Sequence, residues 1–137
     1  HVISNKKEQL NFKKYKSIIW NSKSEVKNLK NIDIGLYPLP NEEWVKGKSG
    51  LKAIQFMSLG IPVIATDNEI NRGVIIHNKT GLLVNTENEW LNALKKLIEN
   101  TNIRAKMSKN SIYHAKKNFS VEANKHKYLE IINKLTK

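Results

Sequence analysis

Strand and helix signals alternate along the 137 residues, which predicts an α/β protein with a parallel sheet in a doubly wound, three-layer α/β/α arrangement. Three observations carry this. Short runs rich in Ile, Val and Leu recur between polar segments. One of them, IPVIAT (Ile61 to Thr66), is apolar almost throughout, as expected of a strand covered on both faces. The stretches between the runs place apolar residues at helical spacing.

HVIS opens the chain as a short strand, and KSIIWN (Lys16 to Asn21) is a β-branched run for a second. SEVKNLKN follows, with Ser22 or Ser24 as N-cap and Val26 and Leu29 three apart, the pattern of a short helix. IDIGLYPL (Ile32 to Leu39) is the next strand, closed by Pro38 and Pro40, and PNEEWVKGKSG is a loop. LKAIQFMSLG sets Leu51, Ile54, Met57 and Leu59 on helical spacing, with Gly60 at C′. After IPVIAT, Asp67 or Asn68 can cap a short helix toward Ile76, HNKTG is a turn, and Leu82 to Val84 is a strand. Three helices end the chain: Glu87 to Glu99, Ile103 to Asn118 and Val121 to Leu135. The first carries an apolar face of Trp90, Leu91, Leu94, Leu97 and Ile98. The last carries one of Val121, Tyr128, Ile131, Ile132 and Leu135.

Composition bounds the function. Hydrophobic residues make up 39% and charged residues 26%, the balance of a folded soluble domain. No apolar run is long enough to span a bilayer. HVISNKKEQL lacks the basic start and apolar stretch of a signal peptide and reads as a chain cut at or near a strand. Without cysteine, disulfide frameworks, thiolate metal sites and a Cys nucleophile are excluded. The net charge of +12 suggests a polyanion partner, but 22 Lys stand against 2 Arg, with 18 Asn and 16 Ile. That mix points to codon bias as much as to a binding surface. Nucleic-acid readers favour Arg for bidentate contacts, so no specific nucleic-acid partner is expected.

The sharpest local feature is the start of the helix after the PNEEWVKGKSG loop. Gly47 and Gly50 bracket Lys48 and Ser49, and Lys46 and Lys52 add charge. Glycines let backbone approach a ligand, and free amides at a helix start favour an anion. In an open α/β sheet, ligands also bind outside the carboxyl ends of the strands. The alternative is a tight turn with solvated lysines. GKS at 47–49 resembles the tail of a P-loop, but the required upstream Gly is Glu42. No GxGxxG is present, so a dinucleotide site is not indicated.

GKSG, IQFMSLG, IPVIAT and NKTGLLV, followed by a helix opening with TENEW, occur in an order and spacing that resemble the C-terminal half of GT-B glycosyltransferases of family 4, the glycosyl transferases group 1. The resemblance is closest from Ile32 to Val84 and extends loosely over the chain, including IRAKMSKNSIYHAKKNFS. It implies one Rossmann-like donor-nucleotide-binding domain over residues 1–137, with the acceptor-binding N-terminal domain outside this chain. It also implies that this piece alone is inactive. The implied activity is that of a retaining glycosyltransferase, moving a sugar from a nucleotide diphosphate sugar (UDP or GDP as base carrier) to a glycan or lipid-linked acceptor, as in bacterial polysaccharide biosynthesis. No cofactor and no metal are implied.

The resemblance assigns the donor site to Gly47, Lys48, Ser49, Gly50, Leu51, Lys52 and Gln55. The amides of Lys48 to Leu51 would face the leaving diphosphate, Lys48 and Lys52 would assist, and Gln55 would hold the ribose. The family's two glutamates fall on Gly47 and Gln55. Gln55 still hydrogen-bonds a hydroxyl, without a charge-assisted bond. Gly47 supplies no side chain, and Glu43 is the only weak candidate for the sugar. WVKGKSGLKAIQFM is similar to a bacterial subgroup, so these departures can be a subgroup trait. Trp20 and Asn21 are weak candidates for the nucleobase, with a core Trp20 as the alternative. Trp44 is read as packing on its loop, with stacking on a ligand as the alternative. Glu69 and Gly73 occupy positions to which no family role carries over. His77, His114 and His126 are read as solvated, out of metal-ligand spacing. A cytoplasmic location follows, with contact on the inner membrane face, for instance through Ala115-Lys116-Lys117, as an open alternative. The competing function is a non-catalytic Rossmann-like domain that binds a nucleotide or another anion.

Overall fold

A computed structural model describes residues 1–6, 14–40 and 42–136. They fall into two compact units, His1–Asp33 and Ile34–Lys137. Asn41, in the loop expected over residues 40–50, lies outside the described residues.

The first unit pairs β1 (Val2–Ser4) with β2 (Ser17–Ile19) in parallel, Ile3 opposite Ile18. The ladder is extended at both ends, by the Val2 amide on the Lys16 carbonyl (2.9 Å) and the Trp20 amide on the Ser4 carbonyl (2.8 Å). Helix α1 (Glu25–Leu29) follows, with Ser24 at the N-cap position but no cap bond from its side chain.

The second unit holds a three-stranded parallel sheet in the order β3 (Gly35–Tyr37), β4 (Val63–Thr66), β5 (Gly81–Val84). Helix α2 (Leu51–Ser58) crosses from β3 to β4 and α3 (Glu69–Val74) from β4 to β5. Central β4 is the strand read from IPVIAT, and Val63, Ile64 and Ala65 are fully buried. Alternation along the strands sends Gly35, Val63 and Ala65 to one face and Ile64, Leu82 and Val84 to the other. Phe56 of α2 abuts Gly35 on the first face. On the second, Ile64, Leu82 and Val84 pack with Ala93 and Leu97 of α4 (Glu87–Glu99) and Met107 of α5 (Thr101–Phe119). Helices therefore cover both faces, the Rossmann-like α/β layering expected from the sequence. Helix α2 ends as its Gly60 predicts. With φ +72, Gly60 donates to the Met57 carbonyl and Ile61 to that of Phe56, the two bonds of a Schellman stop.

Several sequence expectations are corrected in detail. β3 begins at Gly35, three residues after Ile32, and ends at Tyr37, before the amide-less Pro38. The expected loop contains a 3₁₀ turn, Glu43–Gly47, anchored by buried Val45. The buried side of α4 is Ala93 and Leu97 with half-buried Trp90 and Leu94, whereas Leu91 and Ile98 are exposed. The sheet covers a narrower arc of the helix than its apolar residues span. Helix α6 (Val121–Leu135) has the expected ends, with the Ser120 side chain accepting from the Ala123 amide, but no buried residue. Its apolar stripe is open, from Val121 (83% exposed) to Leu135 (81%). His114 is half-buried rather than solvated. Its Nε2–H donates to the Val74 carbonyl (3.2 Å), while Nδ1 accepts from the Asn118 amide (3.0 Å).

Candidate functional site

The carboxyl ends of β3, β4 and β5 open into a cleft of about 1160 Å³. The position is the one that parallel α/β sheets reserve for ligands, because each strand ends there and hands the chain to a loop. Pro38 and Leu39 follow β3, Thr66 ends β4, and Asn85 follows β5. Two hydrogen bonds tie the first two ends together. The Leu39 amide donates to Thr66 Oγ1 (2.8 Å), which donates back to the Leu39 carbonyl (2.9 Å).

From β3, the 3₁₀ turn brings Glu42, Glu43, Val45 and Lys46 to the cleft. Lys46 Nζ lies 2.9 Å from Glu43 Oε1, an exposed ion pair. Glu42 accepts from the indole N–H of Trp44, and the Lys48 ammonium stands 4.9 Å from the Trp44 ring centroid. From β4 come Asp67, Asn68, Glu69 and Ile70. Asn68 caps α3, its Oδ1 accepting from the Asn71 amide (2.9 Å), and fully buried Asn71 donates to the Thr66 carbonyl (2.8 Å). Arg72 forks onto Asp67 at 2.6 and 3.1 Å. That guanidinium holds the Asp67 carboxyl below its usual range. Folding stability from this pair is therefore present above the ordinary aspartate range and lost as pH falls below it. From β5, Asn85 and the α4 residue Trp90 close the lining.

The cleft is acidic in a chain of net charge +12. Glu42, Glu43, Asp67 and Glu69 line it, with Glu43 paired to Lys46 and Asp67 to Arg72. Carboxylates accept hydrogen bonds from hydroxyls and repel phosphates, so this wall suits a neutral, hydroxyl-rich group.

The sequence-assigned donor residues form a separate stretch at the start of α2. Gly50 is the N-cap, buried, with φ +68, and no side chain caps the first turn. A Cβ on Gly50 would stand 2.8 Å from Val74 Cγ2, so the residue fixes how closely α2 meets α3. Gly47, Lys48, Ser49 and Leu51 are exposed and Lys52 is half-buried. The Lys48 amide is committed to the Val45 carbonyl (2.9 Å) and is not available to a ligand. Gln55 is half-buried and its Oε1 is enclosed without a hydrogen-bond partner. None of Gly47, Lys48, Ser49, Gly50, Leu51, Lys52 and Gln55 lines the cleft, whereas Glu43 does. Trp20 and Asn21 follow β2 in the first unit. Trp20 is 42% exposed, not core, and Asn21 Oδ1 accepts from the Lys23 amide. The residues that sequence reading missed are Thr66 and Asn68 at the end of β4, and Asn85 and Trp90 after β5. Their one signal is that each lies at, or within a few residues of, the end of a strand. Among the described residues, no group of three or more His, Asp or Glu is placed to hold a metal. No described helix is long and apolar enough to cross a membrane.

The family model for glycosyl transferases group 1 matches residues 2–114. The chain belongs to this family. No curated protein matches it significantly. Among solved structures, it is similar to the C-terminal domain of the glycosyl transferase group 1 protein LpcC from Francisella tularensis. That likeness has 22% identity and a TM-score of 0.60, covering 77% of this chain and 54% of that one. Anabaena HepE, solved in complex with UDP, is similar at 18% identity and a TM-score of 0.69, over 87% of this chain and 32% of that one. TarM of S. aureus, in complex with UDP, Fondaparinux and α-GlcNAc-glycerol, is similar at 19% identity and a TM-score of 0.65, over 85% and 24%. At these identities the shared property is the Rossmann-like fold. The chain spans about half of the LpcC chain and a third or less of the other two.

Proposed function

We propose that the chain is the donor-binding domain of a retaining glycosyltransferase that takes a sugar from a nucleotide diphosphate sugar, with UDP or GDP as carrier. In this reading an N-terminal domain supplies the acceptor, a glycan or lipid-linked saccharide. The start of α2 carries the assignment. Its first turn has a glycine N-cap, no side-chain cap, and Lys48 and Lys52 beside it. A helix start without a side-chain cap, together with the helix dipole, favours an anion. As the bond to the anomeric carbon breaks, negative charge grows on the departing diphosphate, and donors already in place stabilise it most at that point. Gln55 holds the ribose through its amide. HepE has been solved with UDP-glucose, which agrees with a donor of this class.

A residue-resolved NMR titration with UDP, GDP and ADP tests the assignment. Saturable shifts confined to Gly47 through Gln55, with one base preferred, are expected. Shifts scattered over the lysines that vanish with salt would sink it.

A second reading has its own support. Gly47 offers no side chain, and the Gln55 carbonyl oxygen is enclosed. Both favour a non-catalytic nucleotide-binding domain. Sugar transfer on co-expression with the acceptor domain separates the two, since only the first reading yields product.

A further inference from the structure

We infer that Trp44, carried on the 3₁₀ turn whose neighbouring residues line the acidic cleft, is a stacking platform for a pyranose ring. Trp44 is 53% exposed, although an indole is among the largest apolar surfaces a chain can bury. Its ring is nonetheless fixed. Glu42 accepts from the indole N–H, and the Lys48 ammonium sits 4.9 Å from the ring centroid. The next residue, Val45, is buried and anchors the turn. An exposed aromatic held in place loses little freedom when a ligand stacks on it. Its chain neighbours Glu43 and Val45, and its partner Glu42, all line the cleft.

The chemistry around the ring selects the ligand. A pyranose presents a face of C–H groups, which packs on an indole, and a girdle of hydroxyls, which carboxylates accept. Glu42 and Glu43 supply those acceptors, with Lys46 as a donor. A phosphate or a nucleotide's diphosphate would meet the same carboxylates as repulsion, so it belongs at the start of α2 instead. The ring can belong to the donor sugar, in which case the inference rests on the donor-binding reading above, or to an acceptor glycan, in which case it does not.

Calorimetric titration of the whole chain with UDP, UDP-glucose and methyl α-D-glucopyranoside tests this, comparing the parent with Trp44→Leu and Trp44→Phe. Unchanged melting temperatures verify that the exposed site tolerates both variants. Trp44→Leu is expected to weaken the sugar probe about fivefold more than it weakens UDP, with Trp44→Phe in between. A loss confined to UDP-glucose assigns the platform to the donor, and a loss for the free glucoside assigns it to the acceptor. Equal affinity of parent and Trp44→Leu for both sugar probes overturns the inference, as does a parent that binds neither. A parent that binds the glucoside through Trp44 but not UDP overturns the donor reading alone.

Discussion

Helices α2 and α4 begin at the same edge of the sheet and meet the same problem in opposite ways. Each leaves first-turn amides without intrahelical partners. At α4 the protein answers internally: Thr86 accepts from the Glu89 amide (3.3 Å), and Glu89 accepts from the Thr86 and Asn85 amides (3.0 and 2.7 Å). At α2 the N-cap is Gly50, which has no side chain to offer, and its left-handed backbone turns the Lys48–Ser49 segment into the helix. One helix start satisfies its donors with its own side chains, and the other has no side-chain cap, which is the basis of the donor-site proposal.

The comparison is broken most severely at Gly50. Gly50→Ala forces a Cβ into a left-handed conformation and onto Val74. It is expected to lower stability by about 3 kcal/mol in denaturant unfolding and to reduce nucleotide binding with it. Thr86→Ala removes the α4 cap and is expected to cost about 1 kcal/mol in the same measurement, with nucleotide affinity untouched. Lys48→Ala should do the reverse: about a fivefold loss of nucleotide affinity that shrinks with added salt, and a stability change of about 0.5 kcal/mol or less. The smallest effect is a titration. The Thr86 and Asn85 amides hold the Glu89 carboxyl below the ordinary glutamate range. Its contribution is present above that range and is lost as pH falls below it. Glu89→Gln should flatten this part of the pH dependence of the melting temperature.

Sequence reading located elements well where the signal is local. The ends of α4 and α6 match because Thr86 and Ser120 cap them, and α2 ends where Gly60 predicts. It did less well where the answer depends on what an element packs against. The pattern in α4 marks Leu91 and Ile98 as apolar, but only contact with the sheet decides that Ala93 is inside and they are not. The cleft follows the same rule. Glu43 was legible from its loop, whereas Thr66 and Asn68 at the end of β4 meet Asn85 and Trp90 after β5 only because the parallel strands end together. The stretch Gly47 to Gln55 was legible as a unit because it is contiguous, and its separation from the cleft lining was not.

The open stripe on α6 has a consequence for how this stretch behaves in solution. Val121, Tyr128, Ile131, Ile132 and Leu135 are exposed apolar surface. A net charge of +12 opposes the approach of like copies, over a screening length of about 8 Å at physiological salt and about 3 Å at 1 M. Self-association of the isolated stretch is therefore expected to rise with ionic strength, as light scattering would register.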